Sequence, residues 1–302
     1  MIEKKRVIAL GFFDGVHVGH SALLKRVLEI GGETNLVPSV ISFDIQPLSL
    51  VSDSVVPLIN SPEDRTGLIR RVFGIDDIIV LRFDRITACM PWDDFIDHLH
   101  DEFGARHLVA GFNFKFGAGG KGNSKLLKRK CGELGIGYEI VPEVKIDGIT
   151  VSSTYIRELI LEGDMERAGA FLGHRHVLTD TVRYGYRLGS TLGTPTINMR
   201  FQDNVLVPAF GVYATRVYLE DGSTHNGVTN IGVRPTVGNS GDITAETHIL
   251  NYQGNQYGHQ VRIVFYKRLR PELEFDNISC LKEQIIKDCK AAFDYFSDEK
   301  GL

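Results

Sequence analysis

Cysteine is scarce in this chain. Its four copies, Cys89, Cys131, Cys280 and Cys289, lie far apart and none forms a C-x-x-C pair. That argues against a zinc site and a disulfide framework, and fits a reducing compartment. Charge of one sign is also lacking: a formal net charge of −4 over 302 residues gives no reason for a general affinity for nucleic acid or an anionic membrane. Long hydrophobic runs are missing too. The apolar run after the charged segment Met1–Arg6 ends at Gly11, too short for a signal-peptide core, and no later segment is long enough to span a bilayer. The expectation is a cytoplasmic chain with no nucleic-acid or membrane partner, in which any phosphate binding comes from local sites.

What is present is the profile of a globular protein, 43% hydrophobic and 24% charged, long enough for two ordinary domains. The first half alternates strand-like and helix-like segments. Val7–Leu10, Val37–Phe43, Ile78–Phe83, His107–Ala110 and Tyr138–Val141 read as strands. Between them lie helical patterns: Ser21–Ile30, stopping at Gly31-Gly32; a capped helix from Ser61-Pro62-Glu63-Asp64 to Phe73; Trp92–Phe103; and Ser124–Leu134. Repeated units of this kind predict a parallel sheet covered by helices on both faces. Near residue 175 the pattern changes. Gly211–Leu219, Thr244–Tyr252 and Gln260–Lys267 alternate apolar and polar residues between turn signals, as in an antiparallel barrel or sandwich. A helix over Ile278–Phe296 closes the chain, with Ile278, Leu281, Ile285, Cys289 and Phe293 as its apolar stripe. The expected domains are 1–175 and 176–302.

Three motifs in the first half suit phosphate chemistry. Gly11-Phe12-Phe13-Asp14-Gly15-Val16-His17-Val18-Gly19-His20 joins the first strand to the first helix, where open parallel sheets bind ligands and a helix N-terminus offers free N–H groups. Glycines there permit close approach of a nucleotide, and His17 and His20 are placed to donate to a triphosphate. A lone H-x-x-H is more often incidental; the decapeptide in this position is far more specific. Gly111-Phe112-Asn113-Phe114-Lys115-Phe116-Gly117 follows the fourth strand, and its three phenylalanines are costly to leave exposed. Ser152-Ser153-Thr154-Tyr155-Ile156-Arg157 places hydroxyls at a helix start, by default as caps, with an arginine one turn on as a candidate phosphate clamp.

Two strings in the second half form a polar cluster. A glycine-punctuated loop from Gly185 through Gly193 runs into Thr194-Pro195-Thr196-Ile197-Asn198. In an extended segment Thr196 and Asn198 share a side, and a hydroxyl with an amide carbonyl suits magnesium. A turn with local side-chain bonds is the plain alternative. Glu246 and His248 share a strand face in Ala245-Glu246-Thr247-His248-Ile249-Leu250. A carboxylate on the inward face of a small barrel needs a partner and becomes a candidate general base; an exposed strand glutamate is the commoner case. Gly227-Val228-Thr229-Asn230-Ile231-Gly232-Val233-Arg234-Pro235-Thr236 reads as a rigid loop.

The first three motifs resemble the nucleotidyltransferase module of bacterial bifunctional riboflavin kinase/FAD synthetases over about residues 5–170. The second set resembles the riboflavin kinase module of the same family over residues 180–290. The resemblance implies an N-terminal doubly wound Rossmann-like nucleotidyltransferase domain and a C-terminal six-stranded antiparallel barrel with a terminal helix. It implies ATP-dependent phosphorylation of riboflavin to FMN and adenylylation of FMN to FAD, with Mg2+ as counterion. By this likeness His17, His20 and Arg157 serve the triphosphate as catalytic groups, and Gly11, Phe12, Asp14, Gly19, Asn113, Ser152, Ser153 and Thr154 bind nucleotide or flavin phosphate. Thr196 and Asn198 hold MgATP, with Gly193 in the phosphate loop. Glu246 activates the ribityl hydroxyl, and Arg270 lies near the flavin. One departure stands out: the family's F-D-P-H-P is Phe43-Asp44-Ile45-Gln46-Pro47 here, and glutamine carries no charge. That leaves open a kinase with a weakened adenylyltransferase, alongside a flavin-binding regulator that does no chemistry.

Overall fold

Strand β1 (Arg6–Leu10) is apolar throughout after its first residue, and Val7 to Leu10 are all buried. A strand of that kind needs cover on both faces of its sheet. The computed structural model describes residues 4–46, 56–184, 193–234 and 242–298, and divides into two compact units, Met1–Ser153 and Thr154–Leu302. In the first unit β1 is the central strand of a five-stranded parallel sheet. Its order is β3-β2-β1-β4-β5, with β2 (Val37–Phe43), β3 (Asp77–Leu81), β4 (Ala105–Gly111) and β5 (Gly137–Val141). The chain winds outward from β1 through β2 to β3, then returns to β4 on the other side. The switch in strand order therefore falls between β1 and β4, and the carboxyl edge there opens a crevice. The crossover helices are α1 (Val18–Thr34), α2 (Pro62–Phe73), α3 (Arg85–Cys89), α4 (Trp92–Asp101) and α5 (Ser124–Leu134).

Helix α1 begins three residues earlier than the apolar spacing predicts and runs through Gly31-Gly32 to Thr34, ending at left-handed Asn35. Gly31 does not stop the helix. A Cβ there would lie 2.7 Å from Pro38 Cγ on β2, so the glycine serves close helix–strand packing. At α2 the Ser61 side chain accepts from the Asp64 amide, with proline at the first helical position, as the capping pattern predicts.

The second unit holds a six-stranded antiparallel sheet of order β8-β13-β10-β11-β12-β9. Its strands are β8 (His176–Thr181), β9 (Thr196–Arg200), β10 (Gly211–Tyr218), β11 (Thr224–Arg234), β12 (Asp242–Ile249) and β13 (Gln260–Arg270); earlier in the chain, within the first unit, a short hairpin pairs β6 (Lys145–Ile146) with β7 (Ile149–Thr150). The sheet curls until its two edges meet: the Arg183 amide donates to the Asn198 carbonyl at 2.9 Å. Ile197, Met199, Tyr213, Ile231, Ala245 and Phe265 fill the interior. Helices α6 (Ser153–Glu162) and α7 (Met165–Leu172) precede this sheet, and α8 (Ile278–Asp298) packs on the outer face of β10 and β11.

Two expectations are corrected in this unit. Gly227–Arg234 is no loop but the second half of β11, because alternating Val228, Asn230 and Gly232 against Thr229, Ile231 and Val233 suits a strand with one face in the barrel. The buried stripe of α8 runs through Asp288, Ala292 and Phe296, while Ile278 and Phe293 are exposed. Successive steps of four residues overshoot a 3.6-residue turn by about 40° each, so the expected stripe drifts off the packed face.

Candidate active sites

In the first unit the loop from β1 to α1 is strained. Phe13 and Val16 hold left-handed backbone at φ 58° and 43°, with Gly15 at 80° between them. Such geometry costs roughly 1–3 kcal/mol at a non-glycine residue and persists where surroundings enforce it. Here Phe13, Asp14 and Val16 are all buried, the Asp14 carboxylate accepts the Ile59 amide at 2.9 Å, and the Ser153 hydroxyl donates to the Asp14 carbonyl. His17 caps α1 by accepting the His20 amide on Nδ1 at 3.2 Å, and the two imidazoles stack at 3.6 Å. A neutral His17 therefore carries its proton on Nε2. His20 is held well below the usual histidine range by burial first, then by His17 and Arg65, so it is a neutral ring at physiological pH.

Gly11 and Gly19 leave room for neighbouring rings: a Cβ on either would lie 3.1 Å from Phe13 or His17. Phe12 lies under the guanidinium of Arg65, 4.4 Å from its ring centre. The aromatic stretch after β4 is split. Phe116 is buried and stacks on Phe114, but Phe112 is 47% exposed, against the expectation that all three would be covered, and Asn113 is exposed beside it. Thr154 and Arg157 lie on α6 within the second unit.

Arg65 and Asn60 went unnoticed in the sequence. Arg65 is wholly buried, donates to the Phe43 carbonyl at 2.7 Å and leaves Nε and Nη1 without partners. Burial pushes its pKa down, and the carboxylates of Asp14, Asp44 and Glu63 oppose that shift. Asn60, also buried, has neither amide atom bonded. The available signal was Arg65 standing one turn before Leu68 and Ile69 on the apolar face of α2. Gln46, three residues past the end of β2, has a buried, unpartnered Oε1, while Pro47 falls outside the described residues.

The second unit assembles its groups by strand register. Arg270 on β13 opposes Val212 on β10, Val212 opposes Asn230 on β11, Asn230 opposes Glu246 on β12, and Glu246 opposes Asn198 on β9. Directly opposed residues share a face, so one row across five strands carries a guanidinium, two amides and a carboxylate. In the next row His248 opposes Thr196, and His248 Nδ1 donates to the Pro195 carbonyl at 2.8 Å. This row corrects the placement of Glu246. Ala245, Thr247 and Ile249 face the barrel interior, and Glu246 with His248 faces outward under α8. Period-two alternation puts the pair on one side; only the curl of the sheet decides which side is inside.

Between this face and α8 lies a cavity of about 300 Å³ lined by Thr196, Asn230, Glu246, His248 and Arg270, with Val212 and Val228 on the sheet and Leu281, Ile285 and Cys289 on the helix as apolar walls. A second cavity, of about 480 Å³, is lined by Pro195, Thr196, Ile249, Tyr252 and Tyr257. Thr196 belongs to both. Asn198 is 6% exposed and its Oδ1 has no partner. Gly193, just before this strand, takes φ 79°; Gly185–Leu192 of the glycine-rich loop and Pro235-Thr236 fall outside the described residues. Among the described residues there is no cluster of three or more His, Cys, Asp or Glu that could hold a metal ion. Any cation here would have to be one that accepts hydroxyl and amide oxygens, and the orphaned Asn198 carbonyl oxygen beside Thr196 fits a hard cation of that kind.

The family model for FAD synthetase matches residues 1–155, and that for riboflavin kinase matches residues 172–296. The chain belongs to the bifunctional riboflavin kinase/FMN adenylyltransferase family. It is 34% identical over 94% of its length to the protein of that name from Listeria monocytogenes, covering 90% of it. To the Bacillus subtilis protein of the same name it is 33% identical, over 98% of this chain and 94% of that one. A crystal structure described as a macrolide-efflux protein from Streptococcus pneumoniae superposes with a TM-score of 0.86 at 26% identity, over 97% of this chain and 94% of that one. The fold is therefore common to nearly the whole length of both chains. No helix among the described residues is long and apolar enough to cross a membrane.

Proposed function

We propose that residues 176–302 phosphorylate riboflavin to FMN with ATP and that residues 1–175 adenylylate FMN to FAD with release of pyrophosphate. The observation that carries the kinase assignment is the register row: Glu246, Asn230 and Arg270 face one cavity, and Thr196 connects it to a second. A kinase needs two substrates meeting at one reacting centre, and two cavities sharing one hydroxyl supply that geometry. Riboflavin occupies the cavity under α8, ring between its apolar walls and ribityl chain toward Glu246; ATP occupies the other. Glu246 takes the proton of the ribityl 5′-hydroxyl as its oxygen bonds to the γ-phosphorus and ADP departs. Thr196 and Asn198 would hold magnesium, which when bound neutralises charge on the phosphates.

In the first unit an FMN phosphate oxygen attacks the α-phosphorus of ATP in line, and pyrophosphate leaves. No covalent enzyme intermediate is needed, so positioning and charge neutralisation do the work. His17 offers Nε2–H and His20 a neutral ring to the triphosphate. Gly11, Phe12, Asp14 and Gly19 shape the nucleotide site; Asn113 meets the nucleotide or flavin phosphate, and Ser152, Ser153, Thr154 and Arg157 serve as phosphate ligands, with Gly193 in the phosphate loop of the kinase. Both reactions consume ATP, and the scattered cysteines suit a reducing compartment, so the proposed location is the cytoplasm.

Incubation with riboflavin and MgATP, with products separated over time, should give FMN first and FAD after it. Glu246→Ala should slow FMN formation by about 10²–10⁴, the usual loss for a general base. A loss of only a few-fold would remove Glu246 from that role, and a parent chain that forms no FMN would remove the kinase reading altogether.

A further inference from the structure

Arg270 ends the register row three strands from Glu246, roughly 14 Å along a flat sheet. It does not hang free. Its Nε and Nη2 donate to the Asp288 carboxylate at 2.9 and 2.8 Å, and Nη1 donates to the Pro271 carbonyl at 2.9 Å. Asp288, on α8, is 5% exposed and receives a further hydrogen bond from Gln284 one turn earlier at 2.9 Å. A guanidinium has five N–H donors; these three contacts use three, which leaves two on a group that lines the cavity. A bidentate pair fixes the guanidinium plane as well as its position.

We propose that Asp288 is a positioning residue for riboflavin: with Gln284 it holds Arg270 so that the two remaining N–H donors meet the acceptor edge of the isoalloxazine ring. The inference rests on the kinase reading above. Asp288 lines the same cavity, and Leu281, Ile285 and Cys289 from the same helix cover the ring face. One helix thus supplies the apolar wall and the polar aim. The arrangement explains a buried carboxylate at the centre of the packed face of α8, between Ile285 and Ala292, where an apolar residue would suffice for packing alone. A pair with both charges satisfied by each other has a structural role that neutral replacements can reproduce; directing donors at a ligand is a role they cannot.

The test uses the full chain. Asp288→Asn should raise KM for riboflavin at least 10-fold, with kcat for FMN formation and KM for ATP changed less than 3-fold. Conversion of supplied FMN to FAD should be unchanged. Riboflavin affinity, read by quenching of its fluorescence, should fall by the same factor as KM rises. Losses in Arg270→Ala and Asp288→Asn should not multiply in the double variant, since Asp288 acts through Arg270. If Asp288→Asn does not fold, Arg270→Met/Asp288→Leu leaves no unpaired charge and should fold with the same loss of riboflavin affinity. Parent-like affinity in that double variant, or multiplying losses in the cycle, would overturn the proposal. Absence of FMN formation by the parent chain would instead sink the kinase reading.

Discussion

His176 on β8 is 1% exposed, neither ring nitrogen has a hydrogen-bond partner, and the ring lies 5.7 Å from that of Phe265. Burial, with a smaller contribution from His174, pushes its pKa down to about 3. Above the ordinary value near 6.5 folded and unfolded chains both hold it neutral. As pH falls below that, the unfolded chain takes up a proton that the folded chain refuses, so stability declines until pH reaches about 3. The full loss is of the order of 5 kcal/mol. Phenylalanine at this position would pack beside Phe265 and cannot protonate. We expect His176→Phe to lose about 2–3 kcal/mol less stability than the parent between pH 7 and pH 4.5. Urea unfolding at the two pH values reads this as a difference within each protein, so a packing offset cancels. Equal losses would mean that His176 finds a partner or water in solution.

Within the barrel, three strands share a chain of hydroxyls. Thr215 on β10, Thr229 on β11 and Thr247 on β12 are fully buried, with Oγ1–Oγ1 distances of 2.9 and 2.8 Å. Thr229→Val strips both neighbours of their partner, and each orphaned hydroxyl costs about 1–3 kcal/mol. The expected destabilisation is roughly 2–6 kcal/mol, and changing all three to valine should recover most of it, because no polar group is then left unpaired. Denaturant midpoints at constant slope would show it; additive losses in the triple variant would refute the network. Two of the three elements carrying this ladder, β10 and β12, were legible as strands from alternation, as was Val37–Phe43, and helix Ser124–Leu134 and the Ser61 cap were legible from their own patterns; β11, with Thr229, was not, because its glycines and Pro235 read as a loop. Which face turned inward was not. Glu246 and His248 share a side by period, but curl and register, including the irregularity between Val212 and Tyr213 that brings Arg270 opposite Val212, set that side outside the barrel. Arg65 and Asp288 stayed hidden because each sits on the buried face of a helix, and only tertiary packing shows what stands opposite.

Each unit of the molecule has its own sheet and its own hydrophobic core, and the register row and the histidine loop each fall inside one unit. The row from Arg270 to Asn198 lies wholly within residues 154–302, and the stacked histidines with Arg65 lie wholly within residues 1–153. Damage to one set should therefore leave the other reaction intact. On the proposed assignment His20→Ala removes a group that serves the triphosphate, and losing one such donor costs about 10²–10³ in rate. FMN formation from riboflavin should stay within 2-fold of the parent while FAD formation falls by that factor and FMN accumulates. Glu246→Ala should show the converse, converting supplied FMN but not riboflavin. Neither variant alone should make FAD efficiently from riboflavin, and an equimolar mixture should, because FMN released by one can be adenylylated by the other. Chromatography of flavins from the three incubations tests all of this together. If the mixture stalls although each variant retains its single activity, FMN does not pass through solution and the two sites work only within one chain.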